Sequence, residues 1–256
     1  MRDLPAVSAA ALVTFAGAGP GAADMLTLAV ARALAAADVV LHDRLVSPGV
    51  LALAGPQARI IETGKQGFGP AMAQGDISAL MLAFARAGHA VLRLKSGDPA
   101  VFGRLDEEIE ALEAAGISWR ILPGITAASA AAAALGASLT RRGRNGELRI
   151  VTGHDMAGYA EQDWRALARP GAVAAIYMGR RAARFVQGRL LMHGADPATP
   201  VAIVENASRA DQRVIAAQLG SLVADLAGVD GPAVLMLGLA PRAAEAAVPD
   251  LREALR

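Results

Sequence analysis

Short apolar runs alternate with amphipathic segments through the first half of the chain. Leu26, Val30 and Leu34 recur at the spacing of one helix face, and they predict a helix over residues 24–36 with Asp24 as its N-cap. Further helices are predicted at 74–87 and at 104–115, which Gly116 closes. The apolar runs between them predict strands at 11–16, 39–42, 59–62, 90–94 and 118–122. This alternation favours a parallel α/β sheet.

Residues 141–149 interrupt the alternation. They hold four arginines, two glycines and an asparagine without apolar periodicity, so we interpret them as a linker. The linker separates an N-terminal α/β domain at 11–140 from a C-terminal α/β domain at 148–240, and a tail follows at 241–256.

The second half predicts a mixed sheet. Its strands are predicted at 148–152, 173–178, 200–205, 213–217 and 233–238, and its helices at 163–168, 181–193 and 219–227. The loop between 200–205 and 213–217 is too short for a crossover helix, so these two strands should pair antiparallel. The predicted fold class is therefore α/β, with a parallel sheet in the first domain and a mixed sheet in the second.

Composition narrows the choice of partners and cofactors. A net charge of +1 and an aromatic content of 4% argue against nucleic-acid binding. The absence of cysteine excludes disulfides, thiolate metal sites and a cysteine nucleophile. The four histidines lie far apart without ligand spacing, so we expect no metal.

Two apolar segments bear on localisation. The N-terminal segment ends in small residues, but Asp3 directly follows Arg2, so the positive region of a signal peptide is missing. The uncharged run at 121–140 is rich in alanine and too weakly hydrophobic to predict a membrane span, so we interpret it as a buried helix. We therefore expect a cytoplasmic protein without membrane contact.

A glycine-rich turn follows the first predicted strand at residues 17–21. Gly17, Gly19 and Ala22 nearly match a dinucleotide fingerprint, and Asp43 after the second strand mimics its ribose-binding acid. Pro20, however, lacks the backbone N–H that a phosphate cradle needs. The alternative is a strand-to-helix turn that needs glycine for steric reasons.

Further loops with chemically active residues follow the other strands. They contain Asp43, Lys65, the segment 95–104 and the segment 123–127. Because an open parallel sheet binds its ligand at the carboxyl ends of its strands, these loops predict one shared binding edge.

The ordered motifs resemble those of the S-adenosylmethionine-dependent tetrapyrrole C-methyltransferases, and among them the uroporphyrinogen III methyltransferases. The motifs are GAGPG at 17–21, DRLVS at 43–47, GK at 64–65, GDPAVFGR at 97–104, PGIT at 123–126, VTGH at 151–154, YMG at 177–179 and VENA at 204–207. The resemblance implies two α/β domains with the methyl donor in a cleft between them, and a homodimer.

The resemblance also implies the reaction and its residues. The reaction would methylate two pyrrole carbons of uroporphyrinogen III to give precorrin-2, which feeds sirohaem or cobalamin synthesis. Asp43 would accept a proton and Lys65 would donate one. On residue type alone, Asp43 would instead be an N-cap or pair with Arg44, and Lys65 would be a solvated surface lysine.

Binding residues follow from the same resemblance. The methyl-donor site would comprise Pro20, Ser96, Gly97, Asp98, Val101, Thr126, Ala127, Met178 and Ala207. The tetrapyrrole would be held by Arg104, Glu107 and Arg142. The substrate carries several carboxylates, which arginine binds bidentately.

The sequence departs from the family pattern at Ser96, Ala100, Arg141 and Gly143. A Cβ at Ser96 would crowd the donor if that position required a positive φ. The alternatives that stay open are methylation of a later corrin precursor, a nicotinamide oxidoreductase, and a nucleotide- or tetrapyrrole-binding protein without turnover.

Overall fold

The computed structural model describes residues 12–64, 72–155 and 158–242. Its contacts divide the chain into two compact units. Unit 1 comprises Met1–Ala130 with Asn206–Gln212, and unit 2 comprises Ala131–Glu205 with Arg213–Arg256. The boundaries of these units differ from the predicted domain limits 11–140 and 148–240. Those domain limits, the tail at 241–256 and the cleft between the domains stay predictions.

Unit 1 is built on a sheet of five parallel strands in the order β3-β2-β4-β1-β5. The strands are β1 Leu12–Gly17, β2 Val39–His42, β3 Arg59–Glu62, β4 Val91–Lys95 and β5 Ser118–Leu122. The helices that begin in this part of the chain are α1 Leu28–Ala36, α2 Pro48–Leu51, α3 Gln74–Arg86, α4 Leu105–Ala114 and α5 Ala127–Ala134. The parallel sheet predicted from strand–helix alternation is confirmed.

The three central strands of the unit 1 sheet, β2, β4 and β1, are buried on both faces, as the strands of parallel sheets generally are. Successive side chains of a strand point to opposite faces. Val91 of β4 packs in one apolar cluster with Met81 of α3 and Leu112 of α4. Leu92 packs in a second cluster with Leu34 of α1. Alternation therefore directs every second residue of β4 towards α3 and α4.

Unit 2 contains a mixed sheet of five strands in the order β11-β10-β12-β9-β6. Its elements are β6 Arg149–Thr152, β7 His154–Asp155, β8 Gly158–Tyr159, α6 Trp164–Leu167, β9 Ala174–Tyr177, α7 Gly179–Met192, β10 Pro200–Glu205, β11 Arg213–Gln218, α8 Leu222–Asp225 and β12 Ala233–Leu237. β6 and β9 are parallel, whereas the other neighbouring pairs are antiparallel. The mixed sheet and the antiparallel pairing of β10 with β11 are confirmed.

The start of the first helix differs from the prediction. Ala23–Met25 form a separate 3-10 turn that contains Asp24, and α1 begins only after it. The N-cap is Thr27, whose hydroxyl accepts a hydrogen bond from Val30 N at 3.3 Å. The prediction that Asp24 caps the helix was therefore wrong, because the 3-10 turn precedes the helix and α1 begins only at Leu28.

The alanine-rich run at 121–140 is shorter as a helix than predicted. Its first residues belong to β5, and α5 spans only Ala127–Ala134. Ala128 and Ala131 on α5 and Leu135 after it are buried, so the small side chains pack inside the chain. Among the described residues, no helix has the length and apolar character to cross a membrane.

Candidate functional site

Three glycine-containing loops pack against each other at the carboxyl edge of the unit 1 sheet. Gly19 N donates to Gly97 O at 3.1 Å, and Gly97 N donates to Gly19 O at 2.8 Å. A Cβ on Gly17 would lie 2.5 Å from Gly124 Cα, and a Cβ on Gly124 would lie 2.2 Å from Gly97 O. Both distances are too short for any side chain, so these loops require glycine for close backbone packing.

Asp98 joins two of these loops. Its Oδ1 accepts from Ala100 N at 2.8 Å, and its Oδ2 accepts from Gly124 N at 3.0 Å. Val101 N donates to Asp98 O at 3.1 Å, which closes the turn. Asp98 therefore organises the backbone of the predicted donor loop, and both of its carboxylate oxygens have protein partners.

Asp43 lies at the same edge, directly after β2. Its Oδ1 accepts from Arg93 Nη2 at 2.6 Å, and its Oδ2 accepts from Ser96 N at 3.3 Å. Its side chain is 32% exposed. The sequence alternatives of an N-cap or a pair with Arg44 were wrong, because the guanidinium that reaches Asp43 comes from β4. Solvent or a ligand can still reach this carboxylate.

Behind Asp43 lies a buried ionic network. Glu108 of α4 is fully buried, and it accepts from Arg93 Nε at 3.1 Å and from Lys95 Nζ at 2.8 Å. Gln74 Nε2 also donates to Glu108, at 2.9 Å. Arg93 and Lys95 are each 2% exposed, because strand alternation points both towards α4. Arg93 thus bridges an internal carboxylate, Glu108, to the accessible one, Asp43.

Sequence reasoning missed this network. The signal was present as Arg93 and Lys95 at alternate positions of the buried strand β4, followed by an acidic helix. Buried charges are rare unless they are paired, so two alternating cations in a central strand indicate an internal counter-charge. The GDPAVFGR motif lies in the loop after β4 and does not include these two cations.

The network shifts the pKa values of its two cations in opposite directions. Burial tends to lower the pKa of Arg93, but the carboxylates of Asp43 and Glu108 outweigh it, so this pKa is raised. Burial, and next the neighbouring charge of Arg93, lowers the pKa of Lys95, and Glu108 offsets this only in part. Lys95 is one of only two lysines in the chain. An amine can lose its proton when buried, whereas a guanidinium cannot.

Arg104 and Glu107, both predicted to hold the tetrapyrrole, bind each other. Arg104 Nε and Nη2 donate to the two carboxylate oxygens of Glu107 at 2.7 and 2.6 Å. The hydrogen bond raises the pKa of Arg104 and lowers that of Glu107. Their side chains are 48% and 45% exposed, so a ligand carboxylate could reach the guanidinium by replacing Glu107.

Backbone strain concentrates in the motif segments. The non-glycine residues with positive φ in the described part of the chain are Phe102, Arg104, Met178, Asn206 and Ser208. All of them lie in or directly beside the GDPAVFGR, YMG and VENA motifs. Such conformations cost free energy and cluster at functional sites. Ser96 is not among them, so the condition for the predicted crowding by its Cβ is not met.

Ala207 belongs to the segment Asn206–Gln212, which is part of unit 1 although its flanking strands β10 and β11 are in unit 2. Ser208 Oγ accepts from Ala22 N at 2.9 Å, and Arg209 Nη2 donates to Leu45 O at 2.6 Å. Ala207 is 7% exposed. The VENA motif therefore ends beside the glycine-rich turn, a contact that sequence spacing did not indicate.

Met178 and Arg142 lie in unit 2. Met178 precedes α7 with a φ of 53° and is 49% exposed. Arg142 is exposed in a turn that Asn145 organises, since its Oδ1 accepts from Arg141 N at 3.2 Å and its Nδ2 donates to Leu139 O at 2.9 Å.

The other predicted site residues are placed as follows. Pro20 is partly exposed in the glycine-rich turn, and Thr126 O accepts from Ser129 N at 3.0 Å just before α5, which Ala127 begins. Lys65 lies outside the described residues. Across the described ranges, no group of three or more histidine or acidic side chains is placed to hold a metal ion.

Comparison with known proteins identifies the family. The family model of the Tetrapyrrole (Corrin/Porphyrin) Methylases matches residues 12–223. A siroheme synthase from Xylella fastidiosa is 45% identical over 228 residues, which are 88% of this chain and 48% of that protein. The chain spans about half the length of the curated siroheme synthases that it matches.

Solved structures agree with this assignment. The uroporphyrin-III C-methyltransferase from Thermus thermophilus, complexed with S-adenyl homocysteine, has a TM-score of 0.77 and 38% identity over 88% of this chain and 96% of its own. The cobalt precorrin-4 methyltransferase of cobalamin biosynthesis has a TM-score of 0.80 and 27% identity over 89% of this chain and 95% of its own. The chain therefore belongs to the tetrapyrrole (corrin/porphyrin) methylase family.

Proposed function

We propose that the chain transfers methyl groups from S-adenosylmethionine to two pyrrole carbons of uroporphyrinogen III and so makes precorrin-2. The observation that carries the proposal is Asp43, an accessible carboxylate held by Arg93 and Ser96 N beside closely packed glycine loops. The higher identity to the uroporphyrin-III enzyme than to the precorrin-4 enzyme supports this substrate.

The donor site of this proposal lies along the glycine-containing loops. Gly97 and Gly19 hold the loops together through backbone hydrogen bonds, so small residues and backbone groups line the edge. A sulfonium donor is a cation and needs such groups more than a basic pocket. The proposed donor residues are Pro20, Ser96, Gly97, Asp98, Val101, Thr126, Ala127, Met178 and Ala207. S-adenosylhomocysteine then leaves as the second product.

The proposed methyl transfer runs directly from donor to substrate and needs no covalent intermediate with the protein. The π electrons of the electron-rich pyrrole form the new carbon–carbon bond as the carbon–sulfur bond breaks, and a proton then leaves the tetrapyrrole. Asp43 is the proposed acceptor of that proton, because Arg93 and Ser96 N fix its orientation while its side chain stays accessible. Lys65 is the proposed proton donor.

The substrate of this proposal carries several carboxylates, and we propose that arginines bind them. Arg104 carries a guanidinium whose present partner, Glu107, is half-exposed and can be displaced. Arg142 adds an exposed guanidinium in unit 2. Bidentate pairing with carboxylates would orient the macrocycle. No metal takes part in this proposed reaction.

A later corrin precursor is the second candidate substrate. The observation that favours it is the TM-score of 0.80 to the cobalt precorrin-4 methyltransferase, which exceeds the 0.77 to the uroporphyrin-III enzyme. The two candidates differ in the tetrapyrrole that accepts the methyl group and therefore in the product.

The test is direct. The purified protein is incubated anaerobically with uroporphyrinogen III and a methyl-labelled donor, beside a competent uroporphyrinogen III methyltransferase. Two labelled methyl groups per tetrapyrrole would support the proposal. Label in the tetrapyrrole of the reference reaction alone would refute it. Label found only in a parallel incubation of the protein with precorrin-4 would support the second candidate.

A further inference from the structure

Arg209 is a partly buried cation at the edge of the candidate site. Its Nη2 donates to Leu45 O at 2.6 Å, and its Nε is buried without a hydrogen-bond partner. Among the described residues, no acidic side chain forms an ion pair with it. Arg93 and Arg104, by contrast, each pair with a carboxylate.

The backbone of Arg209 is fixed from both sides. Arg209 N donates to Asn206 O at 2.9 Å, and Gln212 N donates to Arg209 O at 3.0 Å. The preceding residue, Ser208, is tied to Ala22 N through its hydroxyl at 2.9 Å. A preorganised guanidinium loses less entropy when it binds a ligand.

Gly21 makes room for this side chain. A Cβ on Gly21 would lie 2.5 Å from Arg209 Cγ and 2.8 Å from its Nε. The side chain therefore packs against the glycine-rich turn, and its end reaches Leu45 in the turn after Asp43, where Val46 N donates to Asp43 O. Arg209 thus borders both the loop proposed for the donor and the turn that carries Asp43.

We propose that Arg209 binds a carboxylate of a bound substrate, and this inference rests on the proposed function. A half-buried cation with only a neutral carbonyl partner is incompletely compensated, and an incoming carboxylate would supply the charge and accept the free N–H groups. The tetrapyrrole and the methyl donor both carry carboxylates. The experiment therefore measures the two ligands separately.

The matched variants are Arg209→Gln, Arg209→Lys and Arg32→Gln. Glutamine can still donate to Leu45 O but has no charge. Lysine keeps the charge but lacks the planar guanidinium that binds a carboxylate through two N–H groups. Arg32 is an exposed arginine on α1, so Arg32→Gln removes the same charge from the same unit. Fluorescence titration with uroporphyrin III, a stable carboxylated tetrapyrrole, and calorimetry with S-adenosylhomocysteine give the two affinities.

Arg209→Gln should weaken the binding of one ligand by about 10- to 100-fold, the loss typical of a charged hydrogen bond. Arg209→Lys should be intermediate, and Arg32→Gln should bind as wild type does. A loss confined to uroporphyrin assigns the carboxylate to the tetrapyrrole, and a loss confined to S-adenosylhomocysteine assigns it to the donor.

Two outcomes overturn the inference in different ways. If wild type binds uroporphyrin and Arg209→Gln binds both ligands equally well, Arg209 only ties its loop to Leu45 and the proposed function stands. If wild type binds neither ligand, the proposed function fails and the inference fails with it.

Discussion

Asp43 accepts hydrogen bonds from Arg93 Nη2 and from Ser96 N. Its proposed role as a proton acceptor can therefore be tested by a substitution that keeps the shape of the side chain. In Asp43→Asn the side chain keeps its shape, and Arg93 keeps its bonds to Glu108. The fold should therefore survive while the proton acceptor is lost. We expect turnover to fall by about 10²- to 10⁴-fold.

Donor affinity should not change in Asp43→Asn, because no proton moves when S-adenosylmethionine binds. Single-turnover kinetics and calorimetry with S-adenosylhomocysteine measure the two effects side by side. Normal turnover at saturating donor, combined with lost donor binding, would make Asp43 a donor-site residue and refute its role as acceptor.

Glu108 should matter for stability rather than directly for chemistry. In Glu108→Gln, Lys95 and Arg93 lose the carboxylate that compensates them inside the unit. Breaking a buried pair from one side costs about 3–5 kcal/mol. Urea unfolding of Glu108→Gln should show this loss. The neighbouring Glu107→Gln, on the exposed face of α4, is the control and should unfold close to wild type. Equal midpoints for both variants would contradict the assignment.

Lys95 should give the stability a pH dependence of known sign. Its pKa in the folded state is below the ordinary value of 10.5, so between these two values the unfolded chain binds more protons. Stability should therefore rise with pH across this window, as the buried amine loses its charge. The free energy of unfolding of wild type minus that of Lys95→Met should increase as the pH rises towards 10.5. A constant or falling difference would show that Lys95 stays charged in the fold.

At the scale of elements, the packing of glycine loops is the feature most easily tested. Gly124→Ala places a Cβ 2.2 Å from Gly97 O and 2.7 Å from Gly17 Cα, and both contacts are with backbone. Overpacking of this kind costs about 1–3 kcal/mol. Because the same loops form the proposed donor site, the affinity for S-adenosylhomocysteine should fall as well.

Gly75→Ala is the control for Gly124→Ala. Gly75 lies in α3, and a Cβ there would meet nothing within 4 Å. Alanine in a helix is favoured over glycine by about 0.5–1 kcal/mol, so this variant should be slightly more stable. Thermal unfolding and calorimetry compare the two variants, and a Gly124→Ala protein with unchanged stability and donor affinity would contradict the close packing.

Strands and helices were predicted well from the sequence where a single local pattern, such as an apolar run closed by a turn, marked the element. The five strands of unit 1 end within one residue of their predicted limits, because each is a short apolar run closed by a turn. α2 was missed, since its four residues are too few for helical periodicity. Its signal lies instead in Ser47, whose hydroxyl caps Val50 N, and in Pro48 at the first helical position.

At the scale of the whole molecule, family membership predicts a homodimer. The alanine-rich helix α5 is largely buried within its own chain, so it offers little surface for a partner. The prediction therefore rests on the family resemblance and on the tendency of soluble oligomers to form two-fold dimers. Sedimentation equilibrium at micromolar concentration should give twice the mass of one chain, and a single-chain mass across that range would refute the prediction.

The sequence by itself determined the succession of the longer strands and helices along the chain, the parallel and mixed sheets, and the loops that carry the candidate site. Each of these follows from a local signal, such as apolar periodicity or a glycine after a strand, that a few neighbouring residues encode. Five of the family motifs, from GAGPG to PGIT, follow strands of the unit 1 sheet, so local patterns alone were enough to predict the candidate site at the carboxyl edge of that sheet.

Only the tertiary structure decided which charges meet. Arg93 reaches Asp43 across 50 positions of sequence and Glu108 across 15, and Ala22 meets Ser208 across 186. Such partners are chosen by strand order and by the packing of helices on the sheet, which bring distant residues together without leaving a local pattern. For this reason the family resemblance indicated Asp43 and Glu107, whereas the buried Glu108 became visible only in the folded chain, as did Arg209, which has no ion-pair partner among the described residues.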